Sequence, residues 1–469
     1  MKKELFAAAA LVLGSSALFA GTATDAMTTA PTVLMTALSA RQRYPWNGKV
    51  DIDFSFTCGI PEAFAFINFK ASYVDRNGNT VEVPMRTFEQ FETAFCTNAG
   101  TYRVTWDSTA DAPNLVTTNL RYAVTANMAK YMVVDLSKGS EAAADNPYPV
   151  SYLEECPDPT RDDGGWTDEY KTTKMVIRLV QPGTYVKGWN NGGFSYYNEV
   201  WSHQATITRP FYLAIFECTQ GQAKQVMGSY FGNQTYEFKG AIRDRRPVGC
   251  ASLVAWRGSG ADGFCWPNDG SKVLSSSFIG QFREKTGNNG GFDLPTDTEW
   301  EFAARAGSTD AWGGDGLMPA DNPSDADGPT GGKVNTVLNP LGRYMYNGGY
   351  IDNGDGTYTK PDYDDEVHGT AVVGSYKPNA WGFYDMLGNM RELTLDQCGQ
   401  MPQKASVDEL GPIVADPSQS ASVNRITRGG AWAEAAKTCA LMARSACVET
   451  YTSCGVRLAW HFPIPSQVK

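Results

Sequence analysis

From Thr172 onward the chain offers only short helices, and that restricts the folds open to it more than any other feature. Thr219 opens one, with Gln222 three residues on to complete a capping box, and Ala223, Val226 and Met227 fall on one face. Ser275 to Thr286 predicts a second, burying Phe278, Ile279 and Phe282, with Gly287 past its end. Thr296 and Glu299 form another capping box ahead of Trp300, Ala303 and Ala304, and Gly307 closes that helix. Much of the remainder is loop, rich in Gly, Asn, Trp and Tyr. Such a chain must lean on buried aromatics and polar networks more than on regular elements.

Earlier residues have a different texture. From about Ala30 to Ser137 the pattern predicts strands. In Val50-Asp51-Ile52-Asp53-Phe54-Ser55-Phe56 apolar and polar residues alternate, which gives a strand one buried face. Phe66 to Val74 and Thr80 to Val83 flank Asp75-Arg76-Asn77-Gly78-Asn79, where Asn77-Gly78 accepts the positive φ of a hairpin turn. Thr101 to Trp106 and Leu120 to Leu136 supply further strands. The expectation is a small all-β, sandwich-like domain over residues 27–137 with nothing catalytic in it. Residues 138–170, rich in Gly, Asp, Pro and Ala, read as a linker, and a second domain follows over 171–464.

The first residues predict export. Met1-Lys2-Lys3 is basic, Leu5 to Ala20 is apolar apart from Gly14-Ser15-Ser16, and small residues run on through Ala26. That is the order of a secretory signal peptide, here residues 1–26. The apolar run is shorter than the roughly 20 residues of a membrane span. No later segment is long and apolar enough to cross, so no span is expected after signal removal. The periplasm, the cell surface or the medium is the destination. Ten cysteines in an exported chain point to disulfides, with Cys58–Cys96 the best local pairing. No CxxC is present, which disfavours zinc ribbons and thioredoxin-like chemistry. A formal charge of -11, with no Lys/Arg-rich run, argues against a nucleic-acid partner.

Six segments then occur in a recognisable order. They are MVIRLVQPGTYVKG (175–188), FYLAIFECTQGQ (211–222), LPTDTEWEFAARAG (294–307), NAWGFYDMLGNMRE (379–392), RGGAW (428–432) and GVRLA (455–459). Together they resemble the formylglycine-generating enzyme (sulfatase-modifying factor) family over nearly 300 residues. The resemblance implies an irregular α+β fold related to C-type lectins. On the residues alone, Glu299, Arg305, Arg428, Arg444 and Arg457 are expected to pair and hold loops together, since a guanidinium fork satisfies several acceptors.

The resemblance also frames the chemistry. Formylglycine-generating enzymes bind copper through two cysteines five residues apart and use oxygen to oxidise a substrate cysteine. Soft thiolates suit Cu(I). Counted from Arg428, the first family cysteine falls on Cys439, the candidate catalytic residue, and the second falls on Arg444. A guanidinium has no lone pair to donate to a metal, so copper is not expected. Cys447 lies eight residues from Cys439, too far along one strand to rebuild the pair. A second branch of the superfamily holds iron with three histidines from an added helical domain. Here the histidines are His203, His368 and His461, far apart in sequence, and that domain is absent. Calcium is the better expectation: the family's oxygen ligands map to Asp385, the carbonyls of Gly388 and Met390, and Glu392. Where the family has WEW, this chain has Arg391-Glu392-Leu393, and Arg391 is placed to pair with Glu392 and displace the ion. Asp352 to Tyr358 fails the EF-hand spacing and reads as a hairpin tip. The balance favours a non-catalytic binding or structural protein with a protein or glycan partner; the alternative is a formylglycine-generating oxidase or a related oxygen-dependent enzyme.

Overall fold

The computed structural model describes residues 33–461 except 45–46, 59–63, 90–93, 99, 116, 118–119, 128–129, 154, 159, 162–164, 189–201, 236, 259–272, 288–290, 310–311, 313–334, 398–403, 410–423 and 449–453. They divide into two compact units, one ending before residue 130 and one over residues 130–461.

The first unit holds β1 (Val33–Gln42), β2 (Lys49–Cys58), β3 (Phe64–Val74), β4 (Thr80–Val83), β5 (Ala94–Asn98), β6 (Gly100–Asp107), the single-turn helix α1 (Ser108–Asp111) and β7 (Arg121–Asn127). One antiparallel sheet runs β1-β2-β6; in the other, β3 pairs with β4, β5 and β7. The alternation in β2 works as expected: Val50, Ile52, Phe54 and Phe56 are buried with Val104 and Trp106 of β6 and Ile67 and Phe69 of β3. Asp75 holds the β3–β4 turn, accepting from the backbone of Asn77 and Asn79, both at 2.8 Å.

The second unit continues with β8 (Tyr131–Asp135), β9 (Val150–Leu153), β10 (Lys174–Val180), β11 (Gly183–Lys187), β12 (His203–Ile207), β13 (Phe211–Ala214), α2 (Gln220–Met227), α3 (Leu253–Trp256), α4 (Phe278–Lys285), β14 (Phe292–Asp293), α5 (Asp297–Arg305), β15 (Ile351–Asp352), β16 (Tyr358–Thr359), β17 (Glu392–Gln397), β18 (Ser406–Val407), β19 (Asn424–Arg428), β20 (Ser445–Val448) and β21 (Ala459–His461). A six-stranded antiparallel sheet is ordered β14-β21-β13-β10-β8-β9, and two small sheets run β11-β12-β18 and β17-β19-β20. Short helices, many strands and long loops make the class α+β.

The boundary drawn from sequence differs from this arrangement. Residues 131–135, grouped above with the N-terminal strands, pair instead with β10, and β9, inside the expected linker, pairs with β8. Trp166, also in that stretch, is buried in the main core. Local strand pattern cannot tell which sheet a strand joins; long-range pairing decides that. Both capping boxes form as expected. Thr219 Oγ1 accepts from Gln222 N at 3.1 Å, and Thr296 Oγ1 accepts from Glu299 N at 3.0 Å. The helix expected from Ser275 begins at Phe278, because the Ser277 hydroxyl caps it by accepting from Gly280 N. β15 and β16 pair as the expected hairpin around residues 352–358. The side chains of Cys58 and Cys96 lie outside the described residues, whereas Cys156, Cys218 and Cys439 are free thiols. No described helix is long and apolar enough to cross a membrane.

Thr296→Ala removes one side of the α5 box and should lower stability by about 1 kcal/mol. Equilibrium urea unfolding followed by tryptophan fluorescence measures this, with an unchanged denaturant slope expected.

Candidate functional site

All nine residues of α5 are buried, although four of them are charged. An ionised group in the interior must be paired, and the pairs radiate from this helix. Arg428, at the end of β19, reaches α5 with both sides of its fork. Its Nε donates to Asp297 Oδ1, and its Nη2 donates to Glu301 Oε2 at 2.9 Å. Nη1 donates to the carbonyl of Leu441 at 3.1 Å. Lys187 Nζ sits 2.8 Å from Asp297 Oδ2 and 2.9 Å from Glu409 Oε1. Arg305 closes on Glu301 Oε1 at 2.7 Å and donates to the Gly188 carbonyl. These cations hold the Asp297 carboxyl well below its ordinary range, and Glu301 is lowered too, both against burial, which acts in the opposite direction. Arg428 is raised by the same carboxylates.

Arg444 belongs to this network. Its Nε lies 3.2 Å from Asp297 Oδ2, and its side chain is 2% exposed. The position onto which the resemblance places the second copper cysteine is thus filled by a buried cation facing a carboxylate. Cys439 lies nearby in sequence, in the 3-10 turn Ala436–Cys439, and is fully buried. Its Sγ is 4.0 Å from the Ala435 carbonyl, and burial pushes the thiol up to about 12. Cys447 pairs through its backbone with Arg425 in β19, and its side chain is outside the described residues.

The three histidines each meet a carboxylate. His203 Nε2 is 2.6 Å from Glu409 Oε2, His368 Nδ1 is 3.0 Å from Asp365 Oδ2, and His461 Nε2 is 3.0 Å from Glu299 Oε2. They hold different parts of the structure and do not converge.

The expected calcium ligands lie in and just after a loop that turns back through positive φ at Asp385 and Asn389. Gly388 also has positive φ, and a Cβ there would collide with the Arg343 carbonyl. Asp385 accepts from Gly374 N at 2.6 Å through Oδ2, while its buried Oδ1 has no hydrogen-bond partner. Burial pushes its carboxyl up to about 6. Glu217, which follows β13, joins the group: it accepts from Met390 N at 2.8 Å and Asn389 Nδ2 at 2.6 Å. Burial and then the neighbouring charges of Asp385 and Glu392 hold its carboxyl well above the ordinary range. Glu392 is committed elsewhere. Arg457 grips it with Nη2 at 2.7 Å and Nε at 3.0 Å, and Trp300 Nε1 donates at 2.6 Å. Arg391, expected to pair with Glu392, pairs instead with Glu434. Glu392 opens β17 and turns inward to Arg457, whereas Arg391 lies just ahead of that strand and reaches Glu434. Among the described residues no group of three or more His, Cys, Asp or Glu is arranged to hold a metal. Of the two expected carboxylates, Asp385 alone offers an unclaimed oxygen.

Expected pairings of Arg305, Arg428, Arg444 and Arg457 are all present. Their acceptors Asp297 and Glu301, with Lys187, its partner Glu409, and Glu217, were not evident from sequence. The available signal was charge at consecutive turns of a helix that also carries Trp300, Phe302, Ala303 and Ala304.

Comparison with known proteins agrees with the order of the motifs. A family model described as the sulfatase-modifying factor enzyme 1-like domain matches residues 166–462. No curated relative matches. Among solved structures, Treponema denticola variable protein 1 is similar at 18% identity, with a TM-score of 0.41, covering 62% of this chain and 96% of that one. PvdO from Pseudomonas aeruginosa is similar at 17% identity and a TM-score of 0.38, covering 61% and 94%. CarF is similar at 18% identity and a TM-score of 0.32, covering 61% and 97%.

Arg428→Met should cost about 3–5 kcal/mol, because it removes the cation that Asp297 and Glu301 share and leaves their buried charge under-compensated; chemical denaturation at pH 7 measures it. The pH dependence has a defined sign. Asp297 and Glu301 are lowered on folding, so their contribution is present above the ordinary 3.8 and 4.5 and is lost as pH falls through the lower folded values. His461 is raised, chiefly by Glu299 against burial, so its contribution is present at low pH and is lost as pH rises through the folded value. His461→Gln should remove that loss on the neutral side and leave the acid limb unchanged in a series of unfolding curves across pH.

Proposed function

Because the chain belongs to the sulfatase-modifying factor enzyme 1-like family, with 297 of its 469 residues within the match, we propose that it is an exported, non-catalytic member that binds a ligand. A single observation carries this reading: Arg444 stands where the second copper thiolate would be and faces Asp297 from the buried side. A copper centre would need that position for a sulfur donor. Residues 1–26 support export through their basic, apolar and small-residue order. The N-terminal strands support a small sandwich-like module ahead of the family domain, and the family domain is read as C-type-lectin-like. Fold alone does not assign an activity, so the reading rests on the substituted site.

The test is direct. Reduced full-length protein loaded with Cu(I) and incubated in air with a Cys-x-Pro-x-Arg peptide should yield no aldehyde product by mass spectrometry. Aldehyde formation that disappears in Cys439→Ser would instead establish the oxidase.

Calcium is a second reading, favoured by the unpartnered buried Oδ1 of Asp385. A hard cation there would be held by Asp385 and the carbonyls of Gly388 and Met390, with Glu217 close by and Glu392 retained by Arg457. It would relieve the repulsion that raises the Glu217 carboxyl. Millimolar Ca²⁺ should then raise the unfolding temperature by several degrees and a chelator should reverse it, while Asp385→Asn should respond to neither.

A further inference from the structure

A cleft of about 550 Å³ opens beside β11 and β12, against the C-terminal end of α5 and the turn that follows it. The volume lies within the roughly 300–1,000 Å³ of small-molecule sites. It is separate from Cys439 and from the Asp385 loop, and nothing above assigns it a role.

Its chemistry is specific. Tyr185 and Phe302 line it, ring centroids 5.2 Å apart and tilted by 38°. The Tyr185 hydroxyl is already spent on the Thr298 carbonyl at 2.9 Å, so this residue can offer the cleft its ring rather than its polar end. Gly183 keeps the pair close, since a Cβ there would press to 2.7 Å on the Phe302 ring. Around the rings lie the hydroxyls of Thr184, Ser202, Ser308 and Thr309 and the amide of Gln204, groups that both donate and accept, with the Thr184 hydroxyl already shared with Thr206 at 2.9 Å. The one charged group among the described lining residues is Arg305, and Glu301 neutralises it at 2.7 Å while Gly188 fixes its orientation. Among the described lining residues there is no carboxylate to attract a cation and no unneutralised cation to demand an anion.

A ligand suited to these walls has an apolar ring face and a perimeter of hydroxyl groups, without net charge. We propose that the cleft binds a neutral saccharide of one or two rings. One ring face lies on the Tyr185–Phe302 pair, and the hydroxyls exchange hydrogen bonds with Gln204 and Thr309 at the rim. The proposal rests on the ligand-binding reading of the domain, but it does not depend on the copper argument. Retained oxidase activity would defeat that argument and leave the cleft unchanged.

The experiment is saturation-transfer NMR on the full chain. The probes are methyl glycosides of glucose, galactose and mannose, N-acetylglucosamine, maltose, lactose and chitobiose, with inorganic phosphate and lysine as charged controls. At least one neutral saccharide should receive signal through its ring protons, and titration calorimetry should confirm it. Gln204→Ala with Thr309→Ala, both at exposed positions, should weaken it at least tenfold with unfolding temperature unchanged. Val407→Ala, exposed on the same sheet but outside the cleft, should bind as the parent does. Signal on none of the saccharides, binding indifferent to the double variant, or preference for the charged controls would each overturn the proposal.

Discussion

The ion network around α5 is the constraint on which the rest of the second unit depends. Asp297 and Glu301 each carry a full charge away from water, which is tolerable only with cations held on both sides. Those cations come from distant parts of the chain. Lys187 ends β11, Arg428 ends β19, Arg444 precedes β20, and Glu409, which follows β18, shares Lys187 with Asp297. Strands in two different small sheets are thus tied to one helix of nine residues. Little regular structure is available to do this, so side-chain charge does it.

A second, smaller knot repeats the logic. Arg457, next to β21, binds Glu392 at the start of β17 and also donates to the carbonyls of Ala214 and Tyr384. One guanidinium therefore joins the main sheet to the Asp385 loop. Its charge settles what Glu392 can do. A carboxylate gripped along both oxygens is largely compensated, whereas Asp385 and Glu217 accept only from amide groups among the described residues, and burial holds both carboxyls above their ordinary values.

Much of this was legible in the residues. The capping boxes at Thr219 and Thr296 declared their helices, because a hydroxyl three residues before a Gln or Glu satisfies amides that nothing else can reach. The buried face of β2 declared itself through strict alternation. The arginines of the six motifs declared that pairs would exist. What remained hidden was partner choice. Glu392 was matched to Arg391 by proximity in sequence, yet the fold turned the two apart and gave Glu392 to Arg457, 65 residues on. Likewise β8 and β9 looked like strand and linker of the first region, because only the hydrogen-bonding edge of β10 fixes their sheet. Short-range chemistry sets the elements; which distant group completes a buried charge is a property of the folded whole.

The contact between Arg444 and Asp297 has a consequence for change at this position. A cysteine at 444 ends two bonds short of the Arg444 Nε, so its sulfur would fall short of Asp297 and leave a gap where the guanidinium stands. The same substitution would withdraw one of the cations that let Asp297 stay ionised. Gaining a soft-metal pair would therefore require rewiring α5 at the same time. The two arrangements are alternatives rather than neighbours, and exchange of this one residue by itself leads through a destabilised protein.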